Sequence, residues 1–153
     1  MKTNQLKLVE SAVRKIRRRI LRENDSAFDL LRSYIHTALW SSSDDDDVPL
    51  DMNYDFRDVD AKSIKESESD LRSFINKLKS AGLLDLYLEE YSYDQLGYDF
   101  WLTRNHHGTG FWDRSYSNTA PNGTELGDAI TKIAESFKEV DMYVGDDGKI
   151  YIS

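Results

Sequence analysis

The hydrophobic period of this chain changes near residue 98, and that change constrains the fold more than any other feature of its 153 residues. In the first part, apolar residues recur at intervals of three and four; further on, the apolar segments alternate at intervals of two. Helical periods through the first part, and alternating segments on either side of one further helix in the second, imply an α+β fold, with helices packed on an antiparallel sheet.

Leu6, Val9, Val13, Ile16 and Ile20 form one apolar stripe, which predicts an amphipathic helix over residues 4–22. Asp25 or Ser26 is suited to cap a second helix, in which Phe28, Leu31, Ile35 and Leu39 step through to Trp40. The segment 41–56 contains "SSSDDDDVPL" and reads as an acidic loop, because successive aspartates repel one another and Pro49 lacks a backbone donor. Asp44, Asp45, Asp46 and Asp47 lack the alternating oxygens and the glycine of a calcium loop, so a solvated turn is expected there. Residues 57–92 read as helical again. One helix runs from about Asp60, with Ile64, Leu71, Phe74, Ile75 and Leu78 inward and Gly82 past its end, and a short one follows over Leu83–Tyr91.

Residues 98–153 are read as hairpin, helix, hairpin. "YDFWLTR" is rich in aromatic residues and alternates, "NHHGTG" can turn, and "FWDR" can return, which predicts a β-hairpin over Tyr98–Arg114. A helix follows over Thr124–Lys138, with Leu126, Ile130, Ile133, Ala134 and Phe137 on one stripe. In "VDMYVGDDGKIYIS", Val140, Met142 and Val144 alternate, "GDDG" turns, and Ile150 and Ile152 alternate in the return arm. The two hairpins would join in a sheet of about four strands, covered on one face by the N-terminal helices.

An apolar content of 39%, with 12% aromatic residues, suffices for one core, so residues 1–153 are expected to form a single domain. The chain has no cysteine, which excludes disulfides and thiolate metal sites and fits a reducing compartment. No window approaches the roughly 18–20 apolar residues of a membrane span, and "MKTNQLKLVES" lacks the apolar region of a secretory signal. The net charge of −8 is unevenly placed. Residues 1–22 hold eight basic residues and one acid, a charge of +7, which leaves −15 on the other 131 residues. A basic arm on an acidic body implies a partner for the arm or docking of the arm on its own body.

Three chemistries compete for these residues. Arg14, Arg17, Arg18 and Arg19 could meet phosphates, with Trp101 or Trp112 stacking on bases, Phe100 and Phe111 beside them, and Arg104 and Arg114 near the backbone. Asp99, His106, His107 and Asp113 have the chemistry of a mixed histidine and carboxylate metal site, although adjacent histidines in an extended backbone point apart. Exposed aromatics of the hairpin could instead anchor a protein partner. No nucleophile elbow, phosphate loop, dinucleotide fingerprint or HExxH motif occurs. No catalytic residue, metal ligand or cofactor is therefore assigned.

"DFWLTRNHHGTGFWDR", followed after a helix by "VDMYVGDDGKIYI", resembles a widespread family of small, mostly uncharacterised phage-encoded proteins. "ALWSSSDD", "PLDMNY" and "QLGYDFWLTRN" fit the same pattern, so the resemblance covers roughly residues 38–152 and leaves out the basic helix. His107, Gly108, Gly110, Trp112 and Asp113 match it, whereas His106 stands at a variable position. The resemblance implies context more than activity: a bacteriophage protein expressed in the host cytoplasm, with no family chemistry to carry over; small phage accessory proteins often act by binding host machinery, and no cofactor is expected. On that basis the leading expectation is a non-enzymatic protein binder. Its contact residues would be Asp44, Asp45, Asp46 and Asp47, as phosphate mimics, with Trp101, Arg104, His107, Trp112 and Asp113. Nucleic-acid binding through Arg14, Arg17, Arg18 and Arg19 is the alternative, and a metal-dependent hydrolase or nuclease is the second alternative.

Overall fold

The computed structural model describes residues 2–153, apart from the side chains of Lys2 and Glu23. The protein is mostly helical, with one small antiparallel sheet of two strands. Helix α1 spans Lys2–Ser41, α2 Ala61–Ser80, α3 Leu84–Leu88, α4 Tyr93–Arg104 and α5 Leu126–Glu135. Strands β1 (Met142–Val144) and β2 (Ile150–Ile152) close the chain. No helix is long and apolar enough to cross a membrane among the described residues.

The two N-terminal helices expected from the sequence are one. Neither Asp25 nor Ser26 caps a helix, because α1 passes through "NDS" without a break. Those residues disfavour a helix interior by only a few tenths of a kcal/mol each. The packing of the following turns outweighs that: Leu30, Leu31, Tyr34, Ile35, Ala38 and Leu39 are all buried.

The expected hairpin over Tyr98–Arg114 is absent, and with it the four-stranded sheet. "YDQLGYDFWLTR" is α4, capped by the Ser92 hydroxyl, which accepts from Gln95 N. Leu96, Gly97 and every residue from Asp99 to Arg104 are buried, so α4 is enclosed on nearly all sides. A helix covered all round has no polar face, and its sequence carries no 3.6-residue period to betray it. The aromatic richness that suggested a strand reflects a core location instead. Gly97 allows the close crossing of α4 with α1: a Cβ there would sit 2.5 Å from the Leu30 carbonyl oxygen.

Other expectations are met. Asp60 caps α2 by accepting from Lys62 N and Ser63 N, and Gly82, at φ 71°, follows its C-terminus. The face of α2 carrying Leu71, Phe74 and Leu78 packs into the core, where the Phe74 ring stacks on Phe100 at 4.0 Å. The C-terminal hairpin pairs Met142 with Ile152 and Val144 with Ile150 across the "GDDG" turn. It is fastened to the start of α2, since Asp60 N donates to Ile150 O and Ile152 N donates to the Ser63 hydroxyl.

Candidate functional site

The sixteen residues from Asp99 to Arg114 form a structural lock. They run from α4 through a loop into a short 3-10 turn, Phe111–Asp113. Asp99 is wholly buried; its carboxylate accepts two hydrogen bonds from Arg114 Nε at 3.2 Å and one from Arg114 Nη2 at 2.8 Å. Gln95 Nε2 and the Tyr87 hydroxyl also donate to it. Thr103 Oγ1 accepts from Phe111 N, and Gly110 lies so close to this hydroxyl that a Cβ would collide with it. The end of α4 is thereby tied to the turn that follows it.

A second guanidinium clamps the opposite side. Arg104, 2% exposed, donates through Nη1 to Asp70 Oδ2 at 2.8 Å and to the Tyr34 hydroxyl at 3.0 Å. Its Nη2 donates to Phe137 O and its Nε to Lys138 O, with the Phe100 and Phe137 rings beside it. Arg104 is thus buried among its own chain's groups and is not at hand for an external partner. Trp101 is buried as well, 1% exposed, and its indole N–H donates to Ser41 Oγ at 2.9 Å. The expected stacking platform gives up Trp101, Phe100 and Phe111 to the core.

Burial raises the hydroxyl of Tyr34 to about 12, against the opposing effect of Arg104. Tyr87 and Tyr116 are raised by burial first and by Asp99 second. A tyrosine kept neutral by the fold contributes stability that is fully present below pH 10, the ordinary value, and that drains away as pH rises toward 12. Tyr34 alone predicts a loss of about 3 kcal/mol across that window, to be read from denaturant midpoints on either side of it. Constant stability through the same window would contradict these burials.

The remaining members of the expected site lie at the surface. His107 and Asp113 are exposed, Trp112 is 50% exposed, and Asp113 accepts from the Thr109 hydroxyl. Because Asp99 is bound to Arg114 in the interior, Asp99, His107 and Asp113 do not converge. Among the described residues no group of three or more histidine, aspartate or glutamate side chains is placed to hold a metal. His106, at φ 55°, lies near Glu135 and Glu139 at 3.9 and 3.5 Å.

The aspartate run forms an ordered turn. Asp44 is half-buried, and its Oδ1 accepts from Asp46 N and Val48 N; Asp45, Asp46 and Asp47 are exposed.

The most unusual surface is the first half of α1. Every described side chain from Thr3 to Asp25 is exposed, the apolar Leu6, Val9, Val13, Ile16 and Ile20 included. The arm therefore does not dock along its own body. At 100° per residue, Lys7, Arg14, Lys15, Arg18 and Arg22 point away from the apolar stripe, while Arg17 and Arg19 flank it. The sequence revealed both faces of this helix, but not that neither is covered.

The fold and its surfaces define a small helical α+β protein with two internal guanidinium clamps and a projecting, two-faced basic helix. No protein-family model, curated protein or solved structure matches the chain.

Proposed function

We propose that this is a non-enzymatic phage accessory protein, working in the host cytoplasm, that binds nucleic acid through the basic back of its projecting helix. The observation that carries this reading is that Arg14, Arg17, Arg18 and Arg19 are all exposed on the first half of α1, with Arg19 bordering a groove against Glu68, Arg72 and Lys79 of α2. Among the described residues, a single ion pair links any of these four to a carboxylate: Arg14 to Glu10, at 3.8 Å, between exposed side chains. Such a pair is weak and easily exchanged for a phosphate. Separation from the body matters, because the −15 remainder of the chain would repel a polyanion brought close to it. The protein-binding reading, through the turn of Asp44 to Asp47, rests on three exposed carboxylates on an ordered turn. Trp101 and Arg104 no longer support it, since both are buried.

The test is fluorescence anisotropy of the full chain with a duplex DNA and with a single-stranded RNA. Affinity is expected to fall steeply with salt, and Arg14→Ala with Arg18→Ala to flatten the log–log slope by about 0.9 for each duplex phosphate no longer neutralised. Failure to bind either oligonucleotide at low salt would end the nucleic-acid reading. A partner protein recovered by the wild-type chain and missing with Asp45→Asn, Asp46→Asn and Asp47→Asn would return the weight to the acidic turn.

A further inference from the structure

We infer that the apolar stripe of the projecting helix is a dimer seam, and that its occupant is the same helix of a second copy of this chain, running antiparallel. Leu6, Val9, Val13, Ile16 and Ile20 are separated by three, four, three and four residues, the alternation of the a and d positions of a heptad. These five residues hold the a and d positions, and Leu8 and Leu21 are apolar and exposed on either side of them, so the apolar surface is wider than a strict coiled-coil seam. No aromatic residue occurs in the first 27 positions, where a membrane-surface helix would carry Trp or Phe.

The heptad register continues into the body past Glu23 and Ala27, which occupy its next d and a positions and interrupt the large apolar side chains. Leu30 and Tyr34 extend the heptad, and there it is covered, with Tyr34 meeting Phe100 and Trp101 of α4. One helix thus carries two apolar runs in one heptad register, of which a helix covers the second and no described residue of this chain covers the first. A free-standing helix draws little stability from propensity alone, so a packed partner is what would hold the arm in this form.

One cross-pair sets the direction, against a repulsion between two arms of +7 each that salt has to screen. Glu10 is the one acid among residues 1–22, and it occupies an e position, as does Arg17 one heptad later. In an antiparallel pair with Val13 layered on Ile16 of the second copy, Glu10 faces Arg17 of that copy, and the pair occurs twice. A parallel pair would set Glu10 against Gln5 and crowd two acidic bodies together at one end. The antiparallel pair sends the bodies to opposite ends and leaves Lys7, Arg14, Lys15, Arg18 and Arg22 on the outside of both helices.

Sedimentation equilibrium of the full chain, over protein concentrations from about 1 to 100 µM, reads the mass directly. The expected species is twice the 17.7 kDa chain. Val13→Gln with Ile16→Gln, which keeps helix propensity and leaves the body untouched, should weaken dimerisation at least tenfold. Glu10→Arg should weaken it as well, and adding Arg17→Glu should restore it, whereas adding Arg14→Glu instead, which returns the same net charge outside the seam, should not. Three results would overturn the inference: a monomer at every concentration, a dimer indifferent to the two glutamines, or a mass gain that appears only with anionic vesicles or duplex DNA. The seam substitutions leave the outward arginines in place and the arginine substitutions leave the seam, so this inference and the nucleic-acid reading fail separately.

Discussion

Replacing Arg114 by alanine is expected to destabilise the protein by about 3–5 kcal/mol. Asp99 is fully buried, and Arg114, itself partly exposed, supplies the countercharge. Without Arg114 the carboxylate would keep only Gln95 Nε2 and the Tyr87 hydroxyl as donors, and an uncompensated buried charge costs far more than the missing hydrogen bonds alone. The urea midpoint should fall with an unchanged slope, and the Tm should drop by roughly 10 °C. Asp99→Leu combined with Arg114→Met removes both charges and should recover most of the stability. A single Arg114→Ala effect below about 1 kcal/mol would show that the pair does not hold α4 to the turn after it.

Arg104→Met is expected to cost about 3 kcal/mol, for a different reason. Its partner Asp70 is 41% exposed and can be rehydrated, so no buried anion is left behind. What remains is neutral: the buried Tyr34 hydroxyl loses a donor at roughly 1–3 kcal/mol, and the partly buried Phe137 and Lys138 carbonyls lose theirs at less than that, since water can reach them. Methionine fills much of the volume, which keeps the cavity contribution small. Lys138 is the positive-φ residue that turns the chain from α5 toward β1, so the damage should be local. Hydrogen exchange of the amides from Lys138 to Val144 should accelerate beyond the global change, whereas in Arg114→Ala the fastest gains should centre on α4 and Phe111–Asp113. Identical exchange patterns in the two variants would contradict two separate clamps.

The candidate site was legible in the sequence only in part. Arg14, Arg17, Arg18 and Arg19 are identified there as a basic face, and the structure leaves that face open. Trp101 and Arg104 are named as contacts for the same compositional reason as Trp112 and Asp113, yet the first two are buried and the last two exposed. Nothing local separates them. Burial depends on α1, α2 and α5 arriving from far along the chain, and no spacing within "DFWLTRNHHGTGFWDR" encodes that arrival. The ionic partners of Asp99 and Arg104 are hidden for the same reason: Arg114 is 15 residues away, Asp70 is 34, and neither interval follows a helical or strand repeat.

What the sequence determined by itself are the features that rest on a few neighbouring residues: the start of α2 at Asp60, its stop before Gly82, the α5 stripe, the "GDDG" hairpin and the charge asymmetry. Caps, turns and one-sided periodicity are local and leave their mark in the order of residues. The tertiary structure alone decided that "YDFWLTR" is helical, that α1 is continuous through "NDS", and that its apolar stripe is covered in one half and bare in the other. Each of these follows from which surfaces meet, and a packed neighbour can outweigh local preferences worth only tenths of a kcal/mol.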